Sequence, residues 1–141
     1  MDPVIAMPRG NGEVVMIVDD EPVLVELAVQ RLTDLGYVAL AYTSSRTALQ
    51  ALLHEPARVG LVLTDENMPE LSGSELVAAI RAKQLDVPVI MVSGNVTAAL
   101  TERARAAGVC EVLSKPLRDA SLAATLARCL RSKGRPCAPA T

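Results

Sequence analysis

Val59-Gly60-Leu61-Val62-Leu63-Thr64-Asp65-Glu66-Asn67-Met68-Pro69-Glu70 is the stretch that decides how this chain is read. An aliphatic, β-branched run over residues 59–64 stops at a carboxylate and passes into a turn containing Pro69. Ser72-x-x-Glu75 then forms a capping box ahead of Leu76, Val77 and Ile80, so a helix follows the turn. The apolar run carries no charge until its end, as expected of a strand buried on both faces.

The same grammar repeats on either side. Residues 14–18, 37–41, 87–92 and 109–113 are short apolar runs with turn residues at their ends, and each is predicted to be a strand. Helical spacing separates them. Leu24, Leu27, Ala28, Leu32 and Leu35 share a face, with Gly36 as the stop. Ala48, Leu49, Leu52 and Leu53 share another, ended near Pro56. A fourth helix runs from about Thr97 to Ala107, and a fifth, carrying Leu122, Leu126, Cys129 and Leu130, takes Asp119 as its N-cap. Strict alternation with short connections implies right-handed crossovers and an α/β fold: a doubly wound, five-stranded parallel sheet with five helices on its two faces. Ligands of such sheets sit beyond the carboxyl ends of the strands, where the order reverses. Asp19, Asp20, Asp65, Ser93 and Lys115 all fall at or just past those ends, and the order 2-1-3-4-5 gathers them.

Composition narrows the function. A chain of 141 residues has room for one domain, expected over residues 14–131, with 1–13 as a flexible leader and 132–141 as a flexible tail. With no Trp or Phe, the core is built from aliphatic side chains and Met. A net charge of −2 argues against a nucleic-acid surface. No apolar stretch is long enough to span a membrane, and no signal peptide is evident, so no direct membrane contact is expected. The three cysteines, Cys110, Cys129 and Cys137, have no metal-type spacing, and an odd number does not describe a disulfide framework. Cys110 and Cys129 are therefore expected as small buried hydrophobes, in a reducing cytoplasm. His54, at the end of the second helix, is expected at the surface.

Three carboxylates, a hydroxyl and an ammonium in one place suit Mg²⁺, which takes oxygen ligands and keeps several waters. They also suit phosphoryl transfer, which depends on positioning and on charge dispersed over the equatorial oxygens. Asp65 is the expected nucleophile, with Glu66, Asn67 and Gly94 around the phosphoryl group.

VVMIVDDEP, LVLTDENMPELSG, VPVIMVSGN and EVLSKP, in this order from about Val14 to Arg131, resemble the receiver domains of two-component response regulators. The resemblance implies a flavodoxin-like fold and a phosphoacceptor role, a signalling domain rather than an enzyme. It implies that Asp65 takes a phosphoryl group from a phosphohistidine, and that Asp20 binds Mg²⁺ directly while Asp19 does so mainly through water. The carbonyl of Asn67 would complete the metal shell. Ser93 would be the switch hydroxyl, Lys115 would contact the phosphoryl group, and Lys115–Pro116 would be cis. One position departs from the family: Val112 stands where an aromatic residue usually couples to the switch hydroxyl, which puts signal transmission in doubt. The partners implied are a sensor histidine kinase, a histidine phosphotransfer protein, or both, with the chain a monomer or weak homodimer. It would be a single-domain regulator or the terminal receiver of a hybrid sensor kinase.

Two other functions compete. Val112 is compatible with a phosphate-independent docking module that keeps the receiver fold. An aspartyl-phosphate phosphohydrolase of the haloacid-dehalogenase type would use a similar group of residues. However, it places its acids two apart on the first strand and inserts a cap, whereas Asp19 and Asp20 are adjacent and no cap insertion occurs.

Overall fold

Alternate residues of the central strands bury on opposite faces, and this periodicity builds the two layers of core in the computed structural model, which describes residues 7–131. The strands are β1 (Val14–Val18), β2 (Val38–Tyr42), β3 (Leu61–Asp65), β4 (Val89–Ser93) and β5 (Glu111–Ser114). All pair in parallel in the order β2-β1-β3-β4-β5. The helices are α1 (Pro22–Asp34), α2 (Ser45–His54), α3 (Gly73–Ala82), α4 (Ala98–Ala106) and α5 (Asp119–Arg131). Val15, Ile17, Leu61, Leu63, Ile90 and Val92 face α1 and α5, where Leu32, Leu122 and Leu126 meet them. Met16, Val18, Val62, Val89 and Met91 face α2, α3 and α4, against Leu52, Leu76, Ile80 and Leu100. A fully buried side chain of this size contributes about 1.5–3 kcal/mol, so aliphatic residues carry most of the core, with the buried Tyr37 packed among them.

Four of the five strands begin one or two residues later than the sequence predicts. Val59 and Val87 are buried, but they precede the ladder. A short 3₁₀ turn, Pro56–Arg58, leads to Val59, and Pro88 has no N–H to pair, although its carbonyl accepts from Val62. The later strands end on Asp65 and Ser93 themselves, which places both side chains at the rim.

The face of α1 also differs from expectation. Val25, Ala28, Leu32 and Leu35 turn into the core, whereas Leu27 is 51% exposed. Leu24 and Leu27 instead line a cavity of about 340 Å³, together with Arg31, Asp19, Asp65, Lys115 and Leu117. Ser72 and Glu75 make the expected capping box, and Thr97 caps α4. Asp119, expected as an N-cap, is the first residue of α5 and lies 3.6 Å from Arg31 Nε.

Part of the expected leader is held in place. The N–H groups of Gly10 and Gly12 donate to the carbonyls of Leu35 (2.7 Å) and Gly36 (2.8 Å), and Val38 donates to Glu13. Gly36 has φ +96°, and a Cβ there would lie 2.6 Å from the Gly10 carbonyl, so only glycine fits. The expected tail, 132–141, lies outside the described residues, as does Cys137.

The expectation for the other two cysteines needs correction. Cys110 and Cys129 are buried, as predicted, but they are joined as a disulfide. An odd number of cysteines does not exclude a pair, and the crossover from the edge strand to the end of α5 brings these two together.

Candidate functional site

Each functional side chain emerges where a strand runs out of ladder. Asp19 directly follows β1 and is anchored at both ends: its N–H donates to the Tyr42 carbonyl, and its Oδ1 accepts from the Glu21 N–H at 3.0 Å. Asp65 ends β3 and is 6% exposed, with Oδ1 accepting from the Glu66 N–H at 2.9 Å. Asp20 is the most open of the three acids. One carboxylate oxygen from each of Asp19, Asp20 and Asp65 lies within 4.8 Å of the others.

Lys115 follows β5, its N–H bonded to the Ser93 carbonyl, and a cis bond links it to Pro116. Its Nζ lies 3.2 Å from Asp65 Oδ1 and 3.8 Å from Asp19 Oδ2. Burial works against this ammonium, but the hydrogen bond and charge of Asp65, with Asp19 and Glu21 behind, outweigh it and hold its pKa above the ordinary range. Asp19 is pushed up, first by burial and then by its acidic neighbours, while the Glu21 N–H and Lys115 pull the other way. The group therefore carries more negative charge than one lysine neutralises, and a divalent cation would relieve the excess.

Ser93 ends β4 and is buried; its Oγ accepts from the Asn95 N–H at 3.1 Å, which leaves the hydroxyl hydrogen free to donate elsewhere. Beside it Gly94 is exposed, and a Cβ there would meet nothing within 4 Å. Asn67 is exposed on the loop after β3. Val112, in β5, is partly buried against the α2–α3–α4 core layer. Glu66, expected to offer backbone groups to the phosphoryl site, sends its backbone and its side chain to different neighbours. Its N–H points to Asp65, but its carboxylate turns to α3, accepting from the Ser74 N–H at 2.8 Å and from the Ser74 hydroxyl. A carboxylate there is favoured by the positive end of the helix.

The loop carrying Asn67 is braced from α2, a support the sequence reading missed. Ser44 Oγ donates to Glu70 at 2.6 Å, and buried Ser45 accepts from the Leu71 N–H at 2.9 Å. The serine pair at the start of α2 was the available signal, since one of its two hydroxyls exceeds what capping requires. The cavity beside Asp65 was missed as well; its signal is the stripe Leu24, Leu27, Arg31, set off by one position from the buried stripe Val25, Ala28, Leu32.

Such a rim of acids, hydroxyl and lysine on a 2-1-3-4-5 parallel sheet defines a class, and residues 15–127 match the response regulator receiver domain family, to which this chain belongs. Among its relatives, the sensor histidine kinase RcsC of Salmonella typhi is 34% identical over 80% of this chain and 12% of its own length. The two-component response regulator ARR11 of Arabidopsis thaliana is 29% identical over 84% of this chain and 23% of its own. The chain thus spans only a minor part of either relative. The receiver domain protein of Clostridium thermocellum has the same fold, with a TM-score of 0.80 over 84% of this chain and 94% of that one, at 24% identity. Among the described residues, no helix is long and apolar enough to cross a membrane.

Proposed function

We propose that Asp65 is the phosphoacceptor, taking its phosphoryl group from a phosphohistidine of a sensor histidine kinase or a histidine phosphotransfer protein. One observation carries this reading: Lys115 Nζ stands 3.2 Å from Asp65 Oδ1 at the point where Asp19 and Asp20 also converge. The Glu66 N–H and Lys115 orient the carboxylate, and its oxygen attacks phosphorus as the bond to the imidazole nitrogen breaks. The imidazole leaves with the electron pair of that bond. Lys115 and the Ser93 hydroxyl are the groups placed to stabilise charge on the equatorial oxygens, and the space beside Gly94 admits them.

The donor set of Asp19, Asp20 and Asp65, with the Asn67 carbonyl, fits Mg²⁺, a hard ion that prefers carboxylate and carbonyl oxygens. When bound, it would neutralise the acids and supply positive charge to the phosphoryl oxygens. Residues 14–131 would form the receiver, flanked by a leader and a tail, and the chain would act in the cytoplasm or as the cytoplasmic part of a sensor kinase. The apolar cavity next to Asp65, lined in part by the 51% exposed Leu27, provides a surface against which a phosphodonor's helix can rest.

Incubation with acetyl phosphate and Mg²⁺ should label the wild type at a single acid-stable, hydroxylamine-sensitive position and leave Asp65→Asn unlabelled. Undiminished label in Asp65→Asn would overturn the assignment. The absence of Val112's usual aromatic counterpart bears on how partners sense the phosphoryl group; the acceptor geometry does not use that position.

A further inference from the structure

We propose that Cys110 and Cys129 form a reversible thiol–disulfide site, which fastens the last turn of α5 to the start of β5 and exchanges with low-molecular-weight thiols and disulfides. This goes beyond the phosphoryl chemistry and lies at the opposite end of the sheet from it. Cys110 immediately precedes β5, its N–H bonded to the Val89 carbonyl at 2.7 Å, and Cys129 lies in the final turn of α5. The two are joined with their Cα atoms 6.2 Å apart, within the ordinary span of a disulfide.

The surroundings distinguish the two sulfurs. Arg128 Nη1 lies 3.8 Å from Cys110 Sγ, while its Nη2 pairs with Glu111 at 2.8 Å, so the guanidinium is held beside the sulfur. A neighbouring cation favours thiolate over thiol. Cys110 is 9% exposed and Cys129 is 0% exposed, which makes Cys110 the sulfur that an external reagent meets and Cys129 the one that resolves.

In oxidation, the Cys110 thiolate attacks one sulfur of the external disulfide; that S–S bond breaks, one thiolate leaves, and a mixed disulfide remains. Cys129 loses its proton to solvent and attacks the Cys110 sulfur, expelling the second external thiolate. The cysteine pair gives up two electrons and two protons, and the external disulfide takes up both. Reduction reverses these steps, beginning with attack on Cys110. In a reducing compartment such a bond exists only while exchange maintains it, which is the behaviour of a sensor rather than a permanent staple. The closed loop spans 19 residues and contains Lys115, Pro116 and most of α5, so oxidation restricts how far α5 can open from the sheet.

The test equilibrates the full chain in graded ratios of reduced to oxidised glutathione, traps thiols by alkylation and digests with trypsin. At oxidising ratios, peptide 106–118 should be joined to peptide 129–131, and at reducing ratios both cysteines should be alkylated. Amide exchange in α5 should be about tenfold slower in the oxidised form. Cys137→Ser should leave the transition in place. Alkylation of Cys110 and Cys129 at every ratio would overturn the proposal, as would a linkage that survives the most reducing ratio or one that runs through Cys137.

Discussion

Replacing Lys115 by Met removes the only ammonium that touches Asp65 and Asp19 among the described residues while keeping most of the side chain's volume. At 3.2 and 3.8 Å, and an effective dielectric of about 20, the two attractions amount to roughly 5 and 4 kcal/mol before any cost is counted. Desolvation of a lysine 29% exposed and screening by solvent cancel most of this, leaving a net loss of about 1–2 kcal/mol in the metal-free protein. The same ammonium repels a cation held by Asp19, Asp20 and Asp65, so its removal should tighten Mg²⁺ binding by about tenfold. Urea unfolding of both proteins, with and without saturating Mg²⁺, reads both effects. The mutant's deficit should shrink as Mg²⁺ is added, because binding to the folded state stabilises it in proportion to occupancy and affinity. A deficit of the same size at every Mg²⁺ concentration, together with unchanged affinity, would refute the electrostatic account and make Lys115 a packing residue. Phosphoryl acceptance should fall in the mutant despite tighter metal binding, since Mg²⁺ does not replace the ammonium proposed to contact the phosphoryl group.

Arg81 sends Nη1 to the carbonyls of Leu85 and Val87 and Nη2 to that of Gly108, each at 2.9 Å. Arg81→Ala should cost about 2–3 kcal/mol in chemical denaturation, with Arg81→Lys recovering little because an ammonium cannot fork among three carbonyls. Full recovery in the lysine variant would show that charge alone matters there. The Ser44 hydroxyl, followed by the Arg46 N–H, holds the Glu70 carboxyl below its ordinary value of 4.5. A depressed carboxyl stabilises the fold above its unfolded pKa, and this contribution is lost as pH falls through the folded value. Glu70→Gln should therefore be less stable than wild type at neutral pH, with the two denaturation midpoints merging in acid; a gap that persists there would contradict the linkage.

The elements and their order were legible because the local signals agreed: apolar runs of strand length, the capping box at Ser72 and the stop at Gly36. The site was legible for a related reason. A strand buried on both faces carries its first polar residue where burial ends, so Asp65 and Ser93 marked the rim by chemistry alone. What escaped depended on packing between distant segments. Hydropathy put Leu27 in the core, but two adjacent apolar stripes on α1 compete for the sheet, and only the spatial arrangement shows which one wins. Glu66 follows Asp65 in sequence, yet its carboxylate serves α3, because the helix N–H groups are within reach and the acids Asp19, Asp20 and Asp65 are like-charged. The Cys110–Cys129 pair bridges 19 residues across a strand and a helix, a separation that no local pattern encodes.

The two ends of the strands do different work. At the carboxyl ends sit Asp19, Asp65, Ser93 and Lys115; at the amino ends, Arg81 gathers three carbonyls, Gly10 and Gly12 dock against Gly36, and the sulfurs meet. The Cys110–Cys129 bridge at the amino end nevertheless closes a loop that contains Lys115, so the two ends share one stretch of chain.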